Sequence, residues 1–188
     1  MNSKKVTALA APMLIVIILD QITKHWIRLS PAWQNYEIIP GWLAFHYTQN
    51  PGMALGMQWA STEVISTIAI IATLGIFTYI MYNREEATAG YLVCMGLVLG
   101  GAIGNIIDRL VMAKIGGYGG VLEGHVVDFI HFTLNINGWP VFPYIFNVAD
   151  IAISVAIISM LLFHKRIMPF EGEKGDEREE PENVSRES

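Results

Sequence analysis

F-N-V-A-D-I-A-I-S-V-A-I-I-S-M-L-L-F, residues 146–163, is an apolar run with one carboxylate, Asp150, near its start. A charged side chain at the centre of a bilayer costs about 2.5–3.5 kcal/mol on insertion scales, so an acid retained in such a run points to a function. Three more stretches share this apolar character, residues 6–27, 62–82 and 88–108. Together with residues 140–163 they give four segments long enough to cross about 30 Å of hydrocarbon at about 1.5 Å per residue. The first of them holds a second acid, Asp20, close to its end.

The composition agrees with a membrane protein. Of 188 residues, 53% are apolar and 15% charged, against roughly 25% charged in a soluble domain. The fold expected is an all-α membrane protein. It has four transmembrane helices with both termini cytoplasmic, a small extracytoplasmic β-sheet and a surface-lying helix. One domain covers residues 1–168. Most of the excess acid behind the net charge of −5 lies in the tail, residues 169–188, which has few apolar residues to bury and is expected to be disordered. The only cysteine, Cys94, sits mid-run with no neighbouring His, which favours packing or lipid contact over nucleophilic chemistry. Lys4 and Lys5 precede the first run as in a signal peptide, but Asp20, Gln21, Thr23 and Lys24 follow without an A-x-A pattern, so an uncleaved span is expected.

With the N-terminus inside, the cytoplasmic flanks hold Lys4, Lys5, Arg84, Lys165 and Arg166, in keeping with the positive-inside tendency. Lys24, Arg28, Arg109 and Lys114 fall outside. Asp20, Asn105, Asp108, Arg109, Asn147 and Asp150 then sort to the outer ends of the spans, which predicts one polar site at one interface. Two outer stretches, residues 42–50 and 125–134, are rich in aromatic and strand-forming residues and are read as extended segments. Trp33, Trp42, Trp59 and Trp139 fit an interfacial aromatic belt. Residues 114–124, K-I-G-G-Y-G-G-V-L-E-G, are read as a flexible loop.

Several motifs carry polar groups at helical spacing. Asn147 and Asp150 in F-N-V-A-D share a helix face, either to satisfy a neighbouring helix or to hold a working carboxylate, which Asp128 in V-V-D-F can approach from the outer sheet. Gly100 and Gly104 form a small-xxx-small pattern for close helix approach. Asn105 and Arg109, four apart, are free to hold a substrate backbone or offset developing negative charge. Asp20 and Lys24 at i, i+4 make either a structural pair or part of a site. Asn50-Pro51-Gly52 signals a turn. The histidines show no zinc spacing and no G-x-S-x-G occurs, so neither a metal site nor a serine hydrolase has support.

D-Q-I-T-K, N-P-G-M-A-L-G, G-G-A-I-G-N-I-I-D-R, V-V-D-F and F-N-V-A-D occur here in the order found in the prolipoprotein signal peptidases (signal peptidase II), and the chain resembles that family over about residues 10–165. The resemblance implies an intramembrane aspartic endopeptidase of the bacterial inner membrane, a monomer without cofactor or metal. It would cut prolipoproteins before a diacylglyceryl-modified cysteine, in contact with membrane lipid and with no nucleic-acid partner. By motif, Asp128 and Asp150 are the implied catalytic pair. Asp20, Lys24, Asn50, Gly52, Gly104, Asn105, Arg109, Asn147 and Ala149 are the implied binding and supporting residues. The chain departs from the family pattern in a long stretch between Arg109 and Val126, in His131, and in P-Y-I before F-N-V-A-D.

Three rivals stand beside this reading. A proton- or cation-coupled transporter also keeps intramembrane acids, but no internal repeat is visible and the acids do not extend across the bilayer. An assembly factor built on Gly100 and Gly104 leaves the one-sided acids unexplained. A carboxylate-bound metal enzyme would hold its ion with few ligands.

Overall fold

The computed structural model describes residues 2–52 and 60–167. Trp59, part of the N-P-G-M-A-L-G motif and the acidic tail fall outside the described residues. Among the described residues, three helices are long and apolar enough to cross a membrane: α1 (Ser3–Leu29), α2 (Thr62–Tyr82) and α3 (Ala89–Gly116). Side-chain caps start two of them. Asn2 accepts from the Lys5 backbone N–H at 3.0 Å, and Thr88 from that of Tyr91 at 3.1 Å, so each helix begins with one orphan donor satisfied. Helix α3 is central and packs against α1, α2 and the last long helix, α4 (Val148–Leu162).

Small residues set how closely these helices meet. A Cβ at Gly100 would lie 2.7 Å from the Met13 carbonyl of α1, and one at Gly101 would lie 2.5 Å from the Ala149 carbonyl of α4. The backbones therefore touch where a larger side chain would hold them apart, as the small-xxx-small pattern predicts. Cys94 is buried within this bundle.

Outside the bundle, β1 (Asn35–Ile39), β2 (Leu43–Asn50), β3 (Val126–Phe132) and a later strand form an antiparallel sheet. The extended segments expected at 42–50 and 125–134 are β2 and β3. In their register Thr48 faces Asp128 and Asn50 faces Val126, which puts Asn50 and Asp128 diagonally on one face of the sheet. The other face of β3 presents Val127 and Phe129 to a small core with Ile27 and Met112.

The structure corrects the sequence reading in two places. The segment expected as a span over 140–163 is helical only from Val148, giving 15 residues, or about 22 Å. Ahead of it lie the hairpin strands β4 (Asn135–Ile136) and β5 (Trp139–Pro140), then β6 (Ile145–Phe146) against β3. Pro140 and Pro143 explain the late start, because each bars its preceding residue from helical conformation. Asn137 and Gly138, both at positive φ, suit the two-residue hairpin turn. Second, α3 runs on to Gly116 instead of ending at 108, because I-I-D-R-L-V-M-A-K-I contains no breaker before Gly117 caps it at φ 70°. The region expected as a loop from 114 thus starts helical. Its remainder is hydrogen-bonded, with the Gly124 N–H donating to the Arg109 carbonyl at 3.1 Å and the Gly120 N–H to Glu123 at 2.9 Å. Among the described residues a short 3-10 turn, Pro31–Trp33, follows α1, and a longer surface-lying helix is not seen among them. Of the belt tryptophans that are described, Trp33, Trp42 and Trp139 are all exposed.

Candidate active site

The start of α4 organises the site. Asn147 is its N-cap, and its side-chain oxygen accepts from the Asp150 N–H at 3.0 Å while Asp150 Oδ2 accepts from the Asn147 N–H at 3.1 Å. This reciprocal box fixes both side chains at the helix end. The Asn147 amide nitrogen then points across to the sheet and donates to Asp128 Oδ1 at 2.7 Å. One asparagine therefore ties the two sequence-predicted acids together. The remaining oxygens are also held: Asp128 Oδ2 accepts from Asn50 at 3.1 Å, and Asp150 Oδ1 accepts from Asn105 at 3.0 Å. Asn50 in turn accepts from the Gly52 N–H at 2.8 Å, a turn in which Gly52 adopts φ 110°, a conformation that L side chains rarely adopt.

Beneath this pair lies a buried ion cluster. The Lys24 ammonium meets Asp20 Oδ2 at 2.8 Å, Asp108 Oδ2 at 2.9 Å and the Asn105 side-chain oxygen at 2.8 Å. The Asp20–Lys24 pair, left open between structure and site, is therefore both a helical i, i+4 pair and an anchor for Asn105. The other oxygen of Asp20 accepts from the Ala149 N–H at 3.0 Å, at the exposed-donor end of α4. Gly104 makes room for it, since a Cβ there would stand 2.6 Å from Asp20 Oδ2. All three donors of Lys24 are engaged, and its charge offsets part of that of the two buried carboxylates.

Every residue proposed for the site by motif is thus brought to one end of the bundle. Two residues that the motif reading leaves out belong with them. Asp108 also accepts from the Val127 N–H at 3.0 Å, linking α3 to β3, and Gln21 donates to the Gly104 carbonyl at 3.0 Å and to Asp108 at 3.2 Å. Their signal was adjacency, to Arg109 and to Asp20. Lys24 and Arg109, counted on sequence among the outer-side cations and the site residues, are both buried.

A cavity of about 380 Å³ opens beside the acids. Its polar wall is Asn50, Asn105, Arg109, Asp128 and Asp150, and its apolar wall is Ile65, Ala69, Ala72 and Ile76 along one stripe of α2. Arg109 is 8% exposed, and its Nη1 has no hydrogen-bond partner among the described residues. A buried guanidinium donor left open beside a cavity is set to receive an acceptor oxygen from a ligand. Burial, and after it the neighbouring Asp150 carboxylate, pushes the Asp128 carboxyl up from its ordinary value to about 7. A carboxyl of that kind carries a proton near neutral pH beside a second carboxylate, the arrangement for general acid and base work on one bond.

The signal peptidase (SPase) II family model matches residues 12–165. A lipoprotein signal peptidase of Chlorobium phaeobacteroides is 35% identical over 165 residues, covering 82% of this chain and 88% of the relative. One from Porphyromonas gingivalis is 28% identical, covering 84% of this chain and 82% of its own. Among solved structures, a bacterial membrane enzyme at 2.3 Å resolution superposes with a TM-score of 0.62 at 28% identity, covering 82% of this chain and 86% of that one. A second at 1.9 Å resolution gives 0.61 at 29% identity.

Proposed function

The chain belongs to the signal peptidase II family, and we propose that it hydrolyses the peptide bond before the diacylglyceryl-modified cysteine of prolipoproteins, with Asp128 and Asp150 as its catalytic pair. It is a protease of lipoprotein processing, and the comparisons support that activity and not the transporter reading. The observation that carries the catalytic assignment is Asn147, whose amide joins both acids at the edge of a cavity with an open guanidinium donor.

In this reading Asp128 carries the proton and Asp150 is ionised in the first turn of α4, where a negative charge is stabilised by the helix end. Asp150 takes a proton from water as the oxygen attacks the scissile carbonyl carbon. Asp128 gives its proton to the carbonyl oxygen, so the new C–O bond forms without charge separation. As the tetrahedral species collapses, the C–N bond breaks and the proton on Asp150 passes to the leaving amine. Asp128 recovers its own from the hydroxyl that becomes a carbonyl. Arg109 and Asn105 orient the peptide, and no covalent enzyme intermediate forms.

The setting is a bacterial inner membrane, crossed four times by a monomer whose peptidase domain covers residues 1–168. Both described ends of the chain lie away from the site. Lys5 donates to the Glu85 carbonyl at 2.6 Å, and Thr88 to that of Ile167 at 2.6 Å. Lys4, Lys5, Arg84, Lys165 and Arg166 at that end support, by the positive-inside tendency, a cytoplasmic position for it and an outer-interface position for the site.

The test is cleavage of a diacylglyceryl-modified prolipoprotein by purified wild type, Asp128→Asn and Asp150→Asn in detergent. Each variant is expected to lose about 10³-fold or more in kcat while staying folded. Near-full turnover by either removes that residue from the catalytic pair.

A further inference from the structure

Asp150 also borders a second cavity, which runs along α4. This one measures about 480 Å³ and is lined by Phe132, Phe142, Phe146, Ile151, Val155 and Ile158, with Asp150 and Ser154 as its polar members. The three phenylalanines pack on one another, with ring centroids 5.4–6.1 Å apart, and form a wall from β3, β6 and the segment between β5 and β6. The wall facing them is a stripe of α4 at i, i+4, i+7 from Ile151. From Asp150 to Ile158 that stripe descends about 12 Å along the helix axis.

The two cavities differ in what they ask of a ligand. The first offers amides, a carboxyl and an unpartnered buried guanidinium donor, groups that need a peptide's acceptors. Aromatic and branched aliphatic carbon makes up nearly all of the second, which matches hydrocarbon. Its surroundings agree, because residues 132–149 contain no Asp, Glu, Lys or Arg. Ile136, Trp139, Val141, Phe142 and Tyr144 there are exposed, Trp139 by 78%, as suits a hairpin lying against lipid. The groove thus starts at the catalytic level and runs down into the hydrocarbon zone beside a surface without charge.

We propose that the groove between α4 and the Phe132–Phe142–Phe146 wall binds an acyl chain of the substrate's diacylglyceryl group, with the chain end toward Ile158. The proposal rests on the functional reading above, in which the scissile bond directly precedes the lipidated residue. A peptide held on the α2 side and a chain held on the α4 side then diverge from one carboxylate, Asp150. The groove places the bond by gripping the lipid, so chain length enters the rate.

The test uses full-length enzyme in detergent and a palmitoyl diacylglyceryl peptide with a diazirine near the chain end. After irradiation, peptide mapping is expected to place the label within residues 142–158. Labelling confined to residues 65–76 of α2 overturns the subsite. So does labelling of the groove that excess ordinary phospholipid abolishes while cleavage continues, since the groove then holds resident lipid. In parallel, Val155→Trp is expected to lower kcat/KM about tenfold for the palmitoyl substrate and to leave a hexanoyl substrate within about twofold. An equal loss on both substrates, or none on either, overturns the proposal. Wild type that cuts the probe but labels elsewhere refutes only the subsite. Failure of wild type to cut the probe at all refutes the functional reading, and the subsite with it.

Discussion

One helix, α3, is held by two different kinds of contact at its two ends. Near its start, Tyr91, Leu92, Met95 and Leu99 pack with Leu9 and Ile80 in a buried apolar cluster. Near its end, Asn105 and Asp108 are fixed by Lys24, Gln21 and the Val127 N–H. Lipid tails are as apolar as leucine, so the first end gains only shape complementarity and dispersion from packing. The second gains directional bonds, each of which leaves a costly orphan when broken. The apolar end can repack around a lost methyl group, whereas the polar end holds together or fails as a unit.

That contrast predicts an order of effects. After the loss of turnover in the Asp128 and Asp150 variants, the largest is expected from Lys24→Met. It strands Asp20 and Asp108 in a buried site and is expected to cost about 3–5 kcal/mol, read by thermal unfolding in detergent, with cleavage lost too. Leu92→Ala, fully buried at the other end, is expected to cost about 2–4 kcal/mol while kcat of the folded enzyme stays unchanged. If Leu92→Ala depresses kcat as much as Lys24→Met does, the two ends are coupled and the division fails. Gly104→Ala sharpens the comparison further. Its added Cβ would stand 2.6 Å from Asp20 Oδ2, so it is expected to cost about 1–3 kcal/mol and a larger share of activity. Gly75→Ala, with nothing within 4 Å of the new methyl, is the control. It is expected to stabilise α2 by about 0.5–1 kcal/mol.

What could be read in advance divides along the same line. The spans of α1 and α2 were legible because their apolar runs are long and bounded by polar residues. The polar end was legible because acids and amides sort to one side and fall into ordered motifs. Asp108 was read among the polar residues of the outer ends but not as a site residue, and Gln21 was missed; only the packing of α1 on α3 shows that Asp108 meets Lys24 and that Gln21 donates to Asp108. The start of α4 was misread because V-F-P-Y-I-F is as hydrophobic as a span. Hydropathy does not register that Pro143 delays the helix until Asn147 can cap it. Of the three partners of Lys24, Asp20 is encoded by local spacing, but Asn105 and Asp108 depend on α1 meeting α3, and no local spacing encodes them.

The smallest effect concerns protons. The Asp128 carboxyl is raised to about 7, by burial first and by Asp150 second, while Asn50, Asn147 and Lys24 pull it down. As the proton donor, Asp128 must be neutral, so cleavage is expected to decline above pH 7, approaching tenfold per unit. Stability follows the same sign. The folded protein holds this proton more tightly than the unfolded chain, whose carboxyl titrates near 3.8. The contribution is therefore full below about pH 4, is lost as pH rises through about 7, and stays lost above. Asp128→Asn removes the titrating group, so wild type is expected to lose thermal stability relative to this variant between pH 5 and 8. A wild type that gains on Asp128→Asn over that interval means the carboxyl is held below its ordinary value. The proton would then have to come from Asp150, and the roles of sheet and helix at the polar end would be exchanged.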